Sequence, residues 1–287
     1  MGAVPQPTER VGVFVLFIEQ IRRPGQFVDL VARARALGKP LVMIHPGRTK
    51  RARESAQTHT GALAGDHAVM RAVLEYNGVV LVNTLDELFD VTTLLARWPV
   101  PPTLGAAVLT NSGAFRGVAL DFCEGIGLTL PGLTASTRDA LKPFFPPFAT
   151  VDNPLDTMTL AFANPDIFRH AAEALLDDPG IGSLVISLVP GSPRLQVAKS
   201  DTLLAVIGAA RKPVAFVMMG DEEPLVEEFM NPVRKSGIPF FRSPERALRA
   251  MARLTAYSRS LRAANTATPA LDLPPIPLPG SGVIPEY

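Results

Sequence analysis

Short apolar runs punctuate the chain, and an amphipathic stretch follows nearly every one. Val11–Ile18 (VGVFVLFI), Leu41–Ile44 and Val79–Val82 are too short for helices and rich in Val and Ile. That pattern predicts strands buried on both faces. Between them, Gln26–Leu37 places Phe27, Leu30, Val31 and Ala34 on one helical face, and Val69–Tyr76 reads as a second helix. Thr84-Leu85-Asp86-Glu87 is a capping box for a helix running to about Trp98, just before Pro99. His45-Pro46-Gly47-Arg48 reads as a loop after its strand.

The same alternation resumes after Pro99-Val100-Pro101-Pro102. A strand at Ala106–Leu109 leads through Thr110-Asn111-Ser112-Gly113 into a helix ending near Glu124. Gly127–Leu130 reads as a short strand, and Ser136 with Asp139 as the cap of the next helix. Asn164-Pro165-Asp166 opens a further helix with cap, proline and acid in order. Leu184–Val189 and Val214–Met219 are strands flanking a helix around Leu203–Ala210, and Pro239–Phe241 is the last strand. Ser243-Pro244-Glu245 then starts a helix with Leu248, Met251 and Leu254 inward and Arg246, Arg249 and Arg253 outward. Strand and helix alternating in this way predict parallel α/β units: residues 1–100, residues 101–264, and a Pro-rich linker over 265–287. No repeat of solenoid period is present, and the halves resemble each other only in class.

Composition narrows the classes. With 287 residues the chain can bury sizeable cores, and a net charge of +1 gives no reason to expect nucleic acid or an anionic membrane as partner. The one cysteine, Cys123, excludes an internal disulfide and suits the cytoplasm. No apolar run reaches membrane-spanning length, and Met1–Arg10 does not read as a signal peptide. The 28 prolines and 22 glycines interrupt apolar runs, so they mark turns.

Candidate chemistry centres on Gln57-Thr58-His59-Thr60-Gly61-Ala62-Leu63-Ala64-Gly65-Asp66. Small residues around a histidine predict a mobile loop, and neutral imidazole, with a pKa of roughly 6.5, is a competent nucleophile. Glu19 closes the first strand, at the carboxyl end where open α/β sheets bind ligands. Such an acid can fix a histidine tautomer and stabilise its cation; a solvated surface Glu is the other reading. Asn111, Ser112 and Gly113 open a helix whose free N–H groups attract anions, with Arg116 as a further donor. Asn153-Pro154-Leu155-Asp156 is a polar turn, either lining a site or held by Asx hydrogen bonds. Arg48 suits a phosphate, a carboxylate or a structural ion pair equally. The four histidines, His45, His59, His67 and His170, show no metal-ligand spacing. There is no Walker loop, nucleophile elbow or dinucleotide fingerprint.

Thr58-His59-Thr60-Gly61-Ala62-Leu63-Ala64-Gly65 resembles the phosphohistidine loop of the ADP-forming acyl-CoA synthetases, relatives of succinyl-CoA synthetase, whose loop typically begins with Ser in place of Thr58. Phe17-Ile18-Glu19-Gln20-Ile21 resembles that family's Tyr-Leu-Glu-Gly-Ile, and Thr110-Asn111-Ser112-Gly113-Ala114 its Thr-Asn-Ala-Gly-Gly. Asn153-Pro154-Leu155-Asp156 matches its Asn-Pro-Val/Leu-Asp turn, and His45-Pro46-Gly47-Arg48 its Lys-Ser-Gly-Arg loop. The resemblance runs from about Val11 to Tyr287 and implies two consecutive flavodoxin-like domains. It implies an acid–thiol ligase component: ATP phosphorylates an acyl carboxylate, the phosphoryl passes between acyl phosphate and His59, and CoA takes the acyl group. His59 and Glu19 would be catalytic; Thr60, Gly61, Asn111, Ser112, Gly113 and Arg116 would hold phosphate; Arg48, Asn153 and Asp156 would line the site. ATP, ADP, Mg and CoA would serve the complete enzyme, with no cofactor held by this chain itself. A Rossmann-like CoA-binding domain and an ATP-grasp domain would be partners, beside a small organic acid and a homo-oligomeric copy. Gly282–Tyr287 resembles the lead-in to the ATP-grasp part. The competing class is a regulatory module that binds a nucleotide or flavin without chemistry.

Overall fold

The computed structural model describes residues 11–60 and 66–266, with side chains of 56–60 and 265–266 outside the description. The first unit runs β1 (Phe14–Phe17), α1 (Pro24–Ala36), β2 (Leu41–Ile44), α2 (Lys50–Thr60), α3 (His67–Tyr76), β3 (Val79–Val82) and α4 (Leu85–Arg97). Its three-stranded parallel sheet has the order β1-β2-β3. Side chains alternate across the sheet, so Leu41, Met43, Val79 and Leu81 share one face and pack on Val31 of α1 and Leu74 of α3. Val42, Val80 and Val82 share the other face, which α4 covers through Leu88, Val91 and Leu95.

The second unit continues β4 (Ala106–Thr110), α5 (Gly113–Ile126), α6 (Ala135–Leu141), β5 (Leu155–Asp156), α7 (Leu160–Ala163) and α8 (Asp166–Asp177). It closes with β6 (Ser183–Leu188), α9 (Pro193–Ala209), β7 (Val214–Met218), α10 (Glu227–Ser236), β8 (Phe240–Phe241) and α11 (Pro244–Thr266). These strands form a five-stranded parallel sheet in the order β5-β4-β6-β7-β8. Strands β4, β6 and β7 are buried throughout; β7 is wholly apolar, while β4 ends in Thr110 and β6 buries Ser183 and Ser187 among its apolar residues. Backbone approaches backbone closely at Gly105 and Gly182, where a Cβ would strike the carbonyls of Thr129 and Leu104.

Several expectations need correction. The Val11–Ile18 run yields only Phe14–Phe17 as strand, and that strand is exposed, with Phe17 at 59%. It lies at the sheet edge, where no described strand pairs its outer side, while α4 packs mainly on β2 and β3. An apolar run alone does not distinguish an edge from a centre. Gly127–Leu130 forms no strand; a single bond from Ala106 N–H to the Thr129 carbonyl ties it to the sheet. Thr134, not Ser136, caps α6, since the chain is already helical at Ala135. Asp178 in turn accepts from the Thr134 N–H and hydroxyl, at 2.9 and 3.1 Å. Helix α9 starts ten residues before the segment read from apolar spacing, at Pro193, where a proline's missing N–H costs nothing.

The arginines of α11 also depart from expectation. Arg246 grips Asp90 of α4 with two bonds of 2.9 and 2.8 Å, and Arg253 reaches Glu87 at 3.2 Å. Arg249 lies over the Phe122 ring, 5.2 Å from its centroid. Helix α11 thus faces α4 on its charged side and the second sheet on its apolar side, where Leu248, Met251 and Leu254 are buried. Trp98 Nε1–H donates to the Ala210 carbonyl at 3.0 Å and Arg97 to Gly208 at 2.9 Å, so the end of α4 is tied to the end of α9.

Asp90 is nearly buried while Arg246 keeps part of its surface in water. Arg246→Met retains the aliphatic stem and strands the carboxylate, so it should cost about 1–3 kcal/mol, below the value for a wholly buried pair because of that solvent contact. Urea unfolding of Arg246→Met, Asp90→Asn and the double variant measures this. Losses that add without coupling would show that the pair does not tie α4 to α11.

Candidate functional site

Glu19, His45 and Asn83 follow β1, β2 and β3, and so cluster by topology at the carboxyl edge of the first sheet. Two cavities open there. The larger, about 460 Å³, is lined by Glu19, His45, Arg53, Asp66 and His67 together with apolar residues of α1 and α3. The smaller, about 250 Å³, shares His45 and His67 and adds Arg48, Arg71 and Asn83.

Local sequence explains the positions. Gly47 takes φ 111°, which suits glycine, and turns the chain after β2 so that Arg53 donates to the Gly47 and Arg48 carbonyls at 3.2 and 3.3 Å. Asp66 caps α3 by accepting from Ala68 and Val69 N–H groups at 2.7 and 3.2 Å, bonds that lower its pKa. The cap places His67 at the first helical position, its ring edge-on to His45 with centroids 5.6 Å apart. Burial, then the proximity of His67, lowers the His45 pKa, so its ring favours the neutral form. His45 Nδ1 is buried and has no partner among the described residues.

Gln57–Thr60, expected in a loop, forms the last turn of α2. Lys50 to Ala56 is rich in strong helix formers, so the helix continues through the Thr-His-Thr triplet as far as Thr60. His59 and Thr60 therefore sit on a helix end; their side chains, and Gly61, lie outside the described residues.

The second sheet builds a separate edge. Its strand order reverses between β4 and β6, the position where open α/β sheets form a crevice. Asn111, after β4, accepts the Val189 N–H at 2.9 Å, while its Nδ2 is buried without a described partner. Ser112 caps α5 by accepting from Phe115 N–H at 3.3 Å. Gly113 is the first residue of α5, where a Cβ would lie 3.2 Å from Asp156 Oδ2. Arg116, in the first turn, has a buried Nε with no described partner. Asn153 does not reach this edge: it stitches the sheet interior, accepting from Val108 N–H at 2.9 Å and donating to Ala106 and Pro131 carbonyls at 2.8 and 2.9 Å. None of Thr110–Arg116 lines either cavity at the first edge, so the two groups stand apart among the described residues.

One residue at the second edge was missed from sequence. Lys199, 1% exposed, donates to the carbonyls of Val189 and Pro190 at 3.0 and 2.6 Å, fixing the loop that Asn111 also holds. Burial lowers its pKa to about 8. A lysine in an amphipathic helix normally reads as solvated, and no local pattern marks this one as buried.

The comparisons give a consistent set. Residues 6–95 match the model of a succinyl-CoA ligase-like flavodoxin domain. The chain is 40% identical to a trans-feruloyl-CoA synthase from an unknown prokaryotic organism, over 97% of this chain and 40% of that one. It is 32% identical to acetate–CoA ligase (ADP-forming) I of Archaeoglobus fulgidus, over 86% of this chain and 34% of that one. Among solved structures it is similar to the dinucleotide-forming acetyl-coenzyme A synthetase 1 of Ca. Korarchaeum cryptofilum in complex with phosphate and ADP. That match has a TM-score of 0.77 at 28% identity and covers 90% of this chain and 56% of the other. The chain thus spans well under two thirds of each of these relatives.

Lys199 generates a prediction with a definite sign. Its folded pKa, about 8, lies below the unfolded value of roughly 10.4, so the unfolded chain binds more protons between them. Stability contributed by this group should therefore rise with pH across that window, by roughly 1–3 kcal/mol. Denaturant curves at pH 8 and pH 10 should show the rise relative to Lys199→Met, and parallel pH dependences in the two proteins would refute it.

Proposed function

Because this chain belongs to the succinyl-CoA ligase-like flavodoxin family of ADP-forming acyl-CoA synthetases, we propose that it carries the phosphoryl-transfer segment of such a ligase. His59 is the phosphoryl carrier between an acyl phosphate and a nucleotide site. The observation that carries the reading is topological: α2, which ends in His59, contributes Arg53 to the cavity that Glu19 enters from the end of β1. An acid reaching the histidine from the strand end holds the imidazole tautomer and offsets the charge formed when the free nitrogen takes the phosphoryl.

The phosphoryl group is then received at the second edge. The N–H groups opening α5, the unpartnered Nδ2 of Asn111, Ser112, Gly113 and the buried Nε of Arg116 all present donors there. Asp156 lies beside Gly113 and limits how closely the anion approaches. Arg48, with Thr60 and Gly61 beside the histidine, completes the phosphate contacts at the first edge. CoA binding belongs to a Rossmann-like domain and ATP with Mg to an ATP-grasp domain, both in the rest of the enzyme, which acts in the cytoplasm. The isolated chain accordingly does not turn over.

The test supplies an ATP-grasp partner with labelled ATP. Acid-labile, base-stable label should appear on the chain and vanish in His59→Ala; label remaining there, or found on His45 or His67, would overturn the assignment. Glu19→Gln should keep the fold and slow labelling by roughly one to two decades, the worth of one charge-assisted hydrogen bond. Labelling at the wild-type rate would return Glu19 to the solvated surface. A purified protein that binds flavin without ATP would instead favour the regulatory class.

A further inference from the structure

We propose that Lys199 is a positioning residue for phosphate at the second edge, acting through Val189 to keep the Asn111 carboxamide turned as a donor. The inference rests on the ligase reading above, which makes that edge the receiver of the phosphoryl group. Asn111 is 9% exposed, and its Nδ2 has no described partner. Its Oδ1 accepts the Val189 N–H at 2.9 Å, and that bond decides which end of the amide is free. While Val189 stays in place the free end is an NH2, which suits an anion. With Val189 displaced, the amide can turn and offer a carbonyl oxygen, which repels one.

Val189 does not hold itself. It follows β6 with 41% of its surface exposed, so its side chain gives little anchorage. Lys199 reaches over from α9 and donates to the Val189 and Pro190 carbonyls at 3.0 and 2.6 Å. The turn closes directly on the ammonium: Gly191 takes φ 71°, and a Cβ there would lie 3.2 Å from Leu195 and 3.9 Å from Lys199 Nζ. Gln196 braces the far side, donating to the Gly191 and Pro224 carbonyls at 3.3 and 3.2 Å. Its Oε1 accepts the Val226 N–H at 2.9 Å, which ties the turn to the segment before α10. An ammonium buried against neutral carbonyls, with no described carboxylate acting on it, is a costly brace for stability alone. The geometry supplies a further use. One residue, Val189, carries both the carbonyl that Lys199 grips and the N–H that sets Asn111.

Two-dimensional NMR of the full chain, titrated with inorganic phosphate, tests the inference. In the unmodified chain phosphate should shift the Gly113 backbone amide and the Asn111 side-chain amide together. Lys199→Met keeps the stem without the ammonium and should weaken phosphate about tenfold, the worth of one charge-assisted hydrogen bond. Lys199→Gln keeps a neutral donor, should weaken phosphate less, and serves if the Met variant fails to fold by circular dichroism. Val189→Pro removes the N–H at an exposed position without touching the lysine, and should match Lys199→Met. None of these changes should weaken phosphate further in an Asn111→Ala background, where no carboxamide remains to be turned. A lysine that merely stabilised the fold would act alike in both backgrounds. Unaltered phosphate affinity in a folded Lys199 variant or in Val189→Pro, or equal losses with and without Asn111, overturns the inference and leaves the ligase reading standing. Absence of any phosphate shift at Gly113 and Asn111 in the unmodified chain overturns it together with the receiving role of the second edge, while label on His59 is scored separately.

Discussion

The packing of α4 against α11 is the constraint on which the molecule depends. A three-stranded sheet with two helices on one face buries little on its own, and small cores are marginal. Here the opposite face of the first sheet, through Val42, Val80 and Val82, joins the same hydrophobic cluster as β4, β6 and β7. Helices α4 and α11 make that possible, each apolar toward its own sheet and charged toward the other. Asp90 and Glu87 are nearly buried, yet each faces an arginine from more than a hundred and fifty residues away. Their value lies in pairing: loss of either arginine would leave a nearly buried carboxylate without its partner.

With that seam fixed, the two carboxyl edges follow from the strands. Each edge uses a capped helix to place its chemistry: Asp66 sets His67 against His45, and Ser112 starts α5 beside Asp156. The second edge is reinforced from beneath. Asn153 ties β4 to the chain before β5, and Lys199 spends its donors on two carbonyls of the β6–α9 loop. A buried ammonium without a carboxylate partner is tolerable only while those carbonyls stay where they are, so the loop is held by the cost of its moving. Asn111 then keeps one hydrogen-bonding group committed to Val189 and one open. That division suits a donor meant for something outside the sheet.

Much of this was legible in the sequence, for reasons that differ by element. Strands β2, β3, β4, β6 and β7 announce themselves because a parallel strand covered on both faces is predominantly apolar, with only small polar residues such as Ser187 in β6 tolerated. The cap at Thr84 is readable because the residues that make it are adjacent; the Glu87 carboxylate bonds the N–H of Asn83, one residue earlier than the motif expects. Ser112 and Gly113 read as a helix start for the same local reason. What escaped was non-local. Arg246 and Arg253 look solvated until the partner acids on α4 are known, Lys199 looks solvated until the loop folds over it, and Asn153 reads as a turn residue although its bonds reach Ala106 and Val108. The Thr-His-Thr triplet reads as loop because its composition carries little apolar area. The helix that ends there draws its propensity from the roughly two turns before it.

The edge strand is the most instructive of the differences. Order β1-β2-β3 in the first sheet repeats order β6-β7-β8 in the second: consecutive parallel strands, closed in each case by a helix of the α4–α11 layer. In the second sheet β6 is flanked by β4, and α5 packs against β4 and α11. Among the described residues β1 has no counterpart of either, and Val15 and Phe17 are accordingly 43% and 59% exposed. The composition of β1 is that of an interior strand in an edge position, which natural sheets usually guard with charge or proline. The same openness bears on the first site, since Phe17 lines the smaller cavity and Glu19 the larger. Whatever covers β1 would also close one side of the place where His45, His67 and Glu19 meet, so the enclosure of that chemistry and the completion of that sheet are physically one problem.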